Sequence, residues 1–161
     1  MTKAKNWKPE GQSSVTPHLI LKDADKAIEF YKKALGAEEV CRMKTPDGKI
    51  MHASIKIDGC HIYLCDEMDG ECGSKSAATL GGANATIHLY VPDADAAFKR
   101  AVDAGAKPTM PVQDMFWGSR YGMVVDPFGQ PWSFATCVEE VSPEEAEKRG
   151  KEMFKQMAAA K

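Results

Sequence analysis

No stretch of this chain approaches the run of about eighteen consecutive apolar residues that a membrane-crossing helix requires, so no membrane partner is expected. Cationic excess is missing too. Lys and Arg number 21 against 23 Asp and Glu, for a net charge of -2, and are scattered along the chain. No basic footprint for a polyanion exists, and nucleic acid is excluded as a partner on that ground. The five cysteines (Cys41, Cys60, Cys65, Cys72 and Cys137) are odd in number and never stand at Cys-x-x-Cys spacing. That argues against a disulfide framework and a zinc ribbon, and for reduced thiols. Phosphate-binding glycine loops, His-Glu-x-x-His and a nucleophile elbow are all absent, which removes the nucleotide, zinc-protease and serine-hydrolase signatures. Residues 1–14 lack the apolar centre of a secretory leader, so the expected location is cytoplasmic.

What is present occurs twice. Residues 16–27 and 86–97 are identical at seven of twelve positions: Thr16/Thr86, His18/His88, Leu19/Leu89, Asp23/Asp93, Ala24/Ala94, Asp25/Asp95 and Ala27/Ala97. The same offset relates Asp58-Gly59 to Phe128-Gly129, each followed by an alternating apolar run. A constant offset of this kind marks two copies of one structural unit.

Periodicity supplies the content of each copy. Alternation from Ser14 predicts a strand, and Asp23 or Asp25 caps a helix through Leu35 that Gly36 stops. Strands are expected over Glu39–Lys44, Ile50–Ile57 and Cys60–Cys65, the last two joined by a hairpin at Asp58-Gly59. The second copy reads as a strand over Ala85–Val91 and a helix over Asp93–Ala104. Strands then follow over Met110–Phe116, Tyr121–Val125 and Trp132–Cys137. The expected organisation is a flexible arm (1–14), a βαβββ module (15–67), a Gly- and Ser-rich linker or lid (68–84), a second βαβββ module (85–141) and a C-terminal helix (142–161). That helix opens at the capping box Ser142-Pro143-Glu144-Glu145. Its apolar residues Met153, Phe154 and Met157 are expected to pack on the domain or a partner subunit. The fold class is α+β.

The paired modules, the Asp-Ala-Asp-x-Ala helix openings, the Asp126-Pro127-Phe128-Gly129 turn and the Trp132-Ser133-Phe134 strand together resemble the vicinal oxygen chelate superfamily. Phe116-Trp117-Gly118-Ser119-Arg120-Tyr121-Gly122 before that turn is similar to its PhnB-like glyoxalase/bleomycin-resistance branch. The resemblance covers about Ser14 to Val141. It implies two tandem βαβββ modules forming a cup-shaped mixed sheet, a small-molecule ligand in the cup and a homodimer. It also implies a divalent metal held by His and Glu, at positions that fall here on Thr16, Tyr63, Thr86 and Ser133. None of these four is an imidazole or a carboxylate, so the usual metal site is not built from them and no cofactor is expected.

Strand parity aims His18, His52, His61, Tyr63, Cys65 and His88 at one face, with Ile62, Leu64, Trp132 and Phe134 under the helices. Candidate ligand-binding residues are therefore His18, His52, Tyr63, His88, Trp117, Arg120 and Tyr121. Large flat rings and a planar guanidinium suit an aromatic or carboxylate-bearing molecule. The alternative role for Arg120 is an ion pair with Asp114 or Asp126. The expected function is ligand binding without the usual metal. The alternative is a lyase or isomerase of the glyoxalase type, acting on an α-hydroxy-carbonyl or thiohemiacetal substrate. It would use a divalent metal or a His base, with His18 and His88 as the catalytic candidates.

Overall fold

Each copy of the repeat folds on its own hydrogen-bonding logic. The computed structural model describes residues 6–68 and 74–159; Cys72 and the middle of the linker lie outside the described residues. In the first copy, Asp23 accepts a hydrogen bond from the Lys26 amide and so starts helix α1 (Ala24–Leu35), which Gly36 ends in the left-handed conformation. Ala24, Ala27, Ile28, Tyr31, Ala34 and Leu35 form one buried stripe. The stripe covers a four-stranded sheet of order β1-β4-β3-β2, made of β1 (His18–Leu21), β2 (Glu38–Lys44), β3 (Ile50–Ile57) and β4 (Cys60–Asp66). β1 runs parallel to β4, and the other pairs are antiparallel. Ala53, Ile55, Ile62 and Leu64 fill the helix side of that sheet.

After a short helix α2 (Ala77–Leu80), the second copy repeats the plan with β5 (Ile87–Tyr90), α3 (Ala94–Ala104), β6 (Lys107–Asp114), β7 (Ser119–Val125) and β8 (Pro131–Cys137). Its sheet order is β5-β8-β7-β6. Asp93 caps α3 as Asp23 caps α1. The helix starts are also tied to the sheet at equivalent positions. Ala24 N–H donates to buried Asp66 at 2.7 Å, and Ala94 N–H donates to the Thr136 hydroxyl at 2.8 Å, seventy positions on. The chain divides into two compact units, Met1–Gly82 and Ala83–Lys161. Among the described residues no helix is long and apolar enough to cross a membrane.

Several boundaries differ from the sequence pattern. β1 begins at His18 rather than Ser14; Pro17 has no N–H to place in a ladder, and the Ser13 hydroxyl is turned onto the Val15 carbonyl. β6 begins at Lys107 and ends at Asp114. Phe116 and Trp117 instead form the turn into β7, closed by the Gly118 amide donating to the Met115 carbonyl. The 68–84 segment is not all loop, because Glu67 accepts from the Ser76 amide and from the Ser76 and Thr79 hydroxyls and so anchors α2. These contacts pull the Glu67 carboxyl down to about 2, the Thr79 hydroxyl contributing most. Helix α4 (Pro143–Ala159) docks through Gly150, its one buried residue, and through Arg149, which pairs with Glu139 outside the helix and with Glu145 one turn back within it. Met153 is half-buried, whereas Phe154 and Met157 are exposed.

Candidate functional site

Strand register gathers three rings of the first unit on the sheet face opposite α1. His18 stands beside Tyr63 across the parallel β1–β4 pair. Tyr63 stands beside Ser54 across β4–β3, two residues along from His52. The ring centroids lie 6.2 Å apart for His18 and Tyr63, 6.4 Å for His18 and His52, and 5.0 Å for His52 and Tyr63. Every pair meets edge to face, the arrangement that aromatic quadrupoles favour. Partial burial, followed by the nearby His52, pushes the His18 imidazole below its ordinary value. The Tyr63 hydroxyl donates to Gln12 Oε1 at 3.1 Å, bringing the N-terminal arm onto the same face. His61, on this face by parity, is buried and shares a 2.9 Å hydrogen bond with the Ser54 hydroxyl. The Cys65 thiol is pushed up, by burial first and then by the Asp66 charge. That makes it a poor nucleophile.

The second unit carries a matching cluster. His88 Nδ1 lies 2.8 Å from Ser133 Oγ, its register partner on β8. Its ring stacks on Tyr121 at 5.9 Å with 23° between planes, and Tyr90 meets it edge-on at 4.7 Å. Trp117 adds a fourth ring 5.7 Å from Tyr121. The Trp117 turn is held where a side chain at the next residue has no room, since a Cβ on Gly118 would come within 2.2 Å of the Glu139 carbonyl oxygen. Tyr90 is 68% exposed and escaped the sequence-based candidates; its position two residues after His88 was the signal that could have found it. Gln12 had no such signal, because a polar arm carries no period.

Arg120 stands apart from these residues. It projects from β7 toward α3, where it pairs with Asp95 and, at 3.1 Å, with Asp114. The guanidinium holds the Asp95 carboxyl below the usual carboxylate range. Strand parity accounts for this, since Arg120 and Tyr121 are consecutive and must point to opposite faces. The first unit has an analogue. Asp25, the repeat partner of Asp95, receives Arg42 at 2.6 Å, and Arg42 also reaches Glu29 and Glu39. These arginines brace a helix start against the sheet.

The positions that the resemblance assigns to metal ligands carry Thr16, Tyr63, Thr86 and Ser133. Their donors are neutral hydroxyls, and Tyr63 and Ser133 are engaged with Gln12 and His88. Divalent metals of this chemistry take imidazole, thiolate or carboxylate donors, so these residues do not fit such an ion. Among the described residues no group of three or more His, Cys, Asp or Glu side chains is placed to hold one. A depression of about 400 Å³ opens elsewhere in the first unit, lined by residues including Asp23, Asp25, Asp47, Asp66 and Glu67. Four of these carboxylates are occupied by Lys26, by Arg42 and Lys44, by the Ala24 and Ile50 amides, and by Ser76 and Thr79 respectively. It is chiefly a site of bracing contacts.

Residues 14–134 match the family model described as Glyoxalase/Bleomycin resistance protein/Dioxygenase superfamily. The chain belongs to this superfamily. It is 46% identical over 136 residues to the uncharacterized protein Rv0887c of Mycobacterium tuberculosis, covering 83% of this chain and 80% of that protein. Among solved structures it is similar to the product of Arabidopsis thaliana At5g48480, with a TM-score of 0.63 and 30% identity over 76% of this chain and 98% of the other. TioX from Micromonospora sp. ML1 superposes with a TM-score of 0.62 at 26% identity, over 78% and 98% of the two chains. A PhnB protein from Bacillus cereus, 15% identical with a TM-score of 0.60 over 77% and 99%, shares the fold. Within the superfamily, then, the structural neighbours include PhnB-like proteins.

Proposed function

We propose that this superfamily member binds a small, flat organic molecule on its ring-bearing sheet faces, without the metal that the family chemistry uses. The observation that carries the reading is the gathering of His18, His52 and Tyr63 on one sheet face and of His88, Tyr121 and Trp117 on the other unit's. Flat rings at these spacings offer stacking area together with a few polar atoms, the usual make-up of a small-molecule site. Hydroxyls at Thr16, Tyr63, Thr86 and Ser133 support the metal-free part. A homodimer and a cytoplasmic location complete the proposal.

The test starts with metal content. Untagged protein is analysed before and after incubation with Zn, Ni, Co, Mn and Fe(II), then screened by thermal shift against planar aromatic compounds. Metal well below one per chain and a saturable rise in melting temperature are expected, since a ligand that binds only the folded state stabilises it. One tightly held metal per chain, lost in His18→Ala or His88→Ala, defeats the reading. A second reading, lyase or isomerase chemistry with a His base, is favoured by one feature: the depressed His18 imidazole stays uncharged and able to take a proton near neutral pH. It requires turnover that disappears in His18→Ala.

A further inference from the structure

We infer that Ser133 fixes His88 as a hydrogen-bond donor, so that the second unit's face selects an uncharged, flat aromatic molecule carrying a hydrogen-bond acceptor. This rests on the ligand-binding reading above and goes further by naming the ligand class. Ser133 is 1% exposed, and its hydroxyl oxygen lies 2.8 Å from His88 Nδ1. A buried hydroxyl proton left without an acceptor is costly, and among the described residues the imidazole is the acceptor within reach. The hydroxyl therefore donates to Nδ1. An uncharged imidazole accepting at Nδ1 keeps its own proton on Nε2. The nitrogen left for a ligand is a donor.

The surroundings set the rest of the preference. Met123 and Met110 share the His88 row of the sheet, and Tyr121 and Gln113 share the Tyr90 row; none is charged. Arg120, the cation that sequence placed here, is committed on the opposite face to Asp95 and Asp114. On these two rows an anionic ligand meets no counter-charge for the water it gives up. A neutral carbonyl gives up less and gains the Nε2–H. The near-parallel His88 and Tyr121 rings, with Trp117 edge-on to Tyr121, supply flat aromatic area beside that N–H.

The test has a ligand-free arm and a ligand arm. Long-range 1H–15N spectra of the labelled full chain at pH 8 report which nitrogen of each of the four histidines carries the proton. His88 is expected to be protonated on Nε2. Ser133→Ala is expected to move its Nδ1 resonance while leaving His61, paired with Ser54, unchanged. A proton mainly on Nδ1, or an Nδ1 resonance indifferent to Ser133→Ala, overturns the inference. In the ligand arm, 2-acetonaphthone is compared with 2-ethylnaphthalene, which lacks the acceptor, and with 2-naphthoate, which is charged. Acetonaphthone is expected to bind about three- to tenfold more tightly than ethylnaphthalene, the gain from one net hydrogen bond. Naphthoate is expected to bind no more tightly than acetonaphthone, and His88→Phe to abolish the ketone preference. Equal binding of ketone and hydrocarbon overturns the donor's part in recognition, and preference for naphthoate overturns the uncharged class; either result leaves ligand binding standing. Failure of all three to bind, with the Nε2 proton in place, takes down the ligand-binding reading and the ligand class with it.

Discussion

His18 is where the first unit's face becomes sensitive to pH. Its imidazole is depressed by burial and then by His52, so as pH falls the unfolded chain takes up this proton before the folded one. Folding is unaffected by His18 well above 6.5, and loses stability as pH drops through that value toward the lower folded one. The melting temperature of His18→Gln is therefore expected to decline less steeply between pH 7 and pH 5 than that of the parent. His52→Ala should raise the His18 titration midpoint only part of the way, because burial is the larger cause. A His18 midpoint at or above 6.5 by NMR removes this account. At this scale strand parity made His18, His52 and Tyr63 legible on one sheet face, and the repeat made His88 legible at the equivalent place in the second unit. The same parity, applied strictly, separates Arg120 from Tyr121. What it does not supply is the partner: Arg120 lies 25 positions from Asp95, and no local pattern links them.

Helix α4 shows how a single small residue docks an element. A Cβ on Gly150 would lie 3.0 Å from Phe116 Cε2, tighter than ordinary contact, so the helix approaches the Phe116–Trp117 turn only because no side chain intervenes. The helical cost of glycine, about 1 kcal/mol relative to alanine, is offset by this approach and by the Arg149 pairs with Glu139 and Glu145. Gly150→Leu is expected to lift α4 from the turn. The cost should be about 1–3 kcal/mol in urea unfolding, as for other overpacked sites, with faster proteolysis after Val141. Unchanged stability and proteolysis would mean that the contact carries no weight. The capping box made this helix legible, and Met153, Phe154 and Met157 read as a stripe to pack on the domain or a partner subunit. Within this chain the buried docking residue is the glycine that looked like a weakness, because a close approach leaves no hydrophobic signature.

Across the whole molecule the two units share a plan but differ in what fills them. The first buries Leu21, Ile28, Tyr31, Ile50, Ile55 and Leu64, whereas the second relies on Trp132, Phe134 and Val124 over alanines at 94, 97 and 101. Amide exchange is expected to be slowest in Ile50–Ile57 and Cys60–Asp66. Trp132→Ala should cost about 3–5 kcal/mol and quicken exchange chiefly in the second unit. Slower exchange in Ser119–Val125 than in Ile50–Ile57 would contradict this ranking. By itself the sequence determined the tandem βαβββ plan, the helix caps, the Asp58-Gly59 hairpin and the superfamily. Each of these rests on signals a few residues long: a carboxylate meeting an amide three positions on, an alternating face, a glycine free to turn. Only the tertiary structure decided which side chains hold one another: His88 with Ser133 across 45 positions, Asp66 with Ala24 across 42, and Arg120 with Asp95. The parallel pairs β1–β4 and β5–β8 set the first two, and the packing of α3 on β7 sets the third. A register between strands so far apart is chosen by the buried faces of the whole sheet, so no short stretch of sequence contains it.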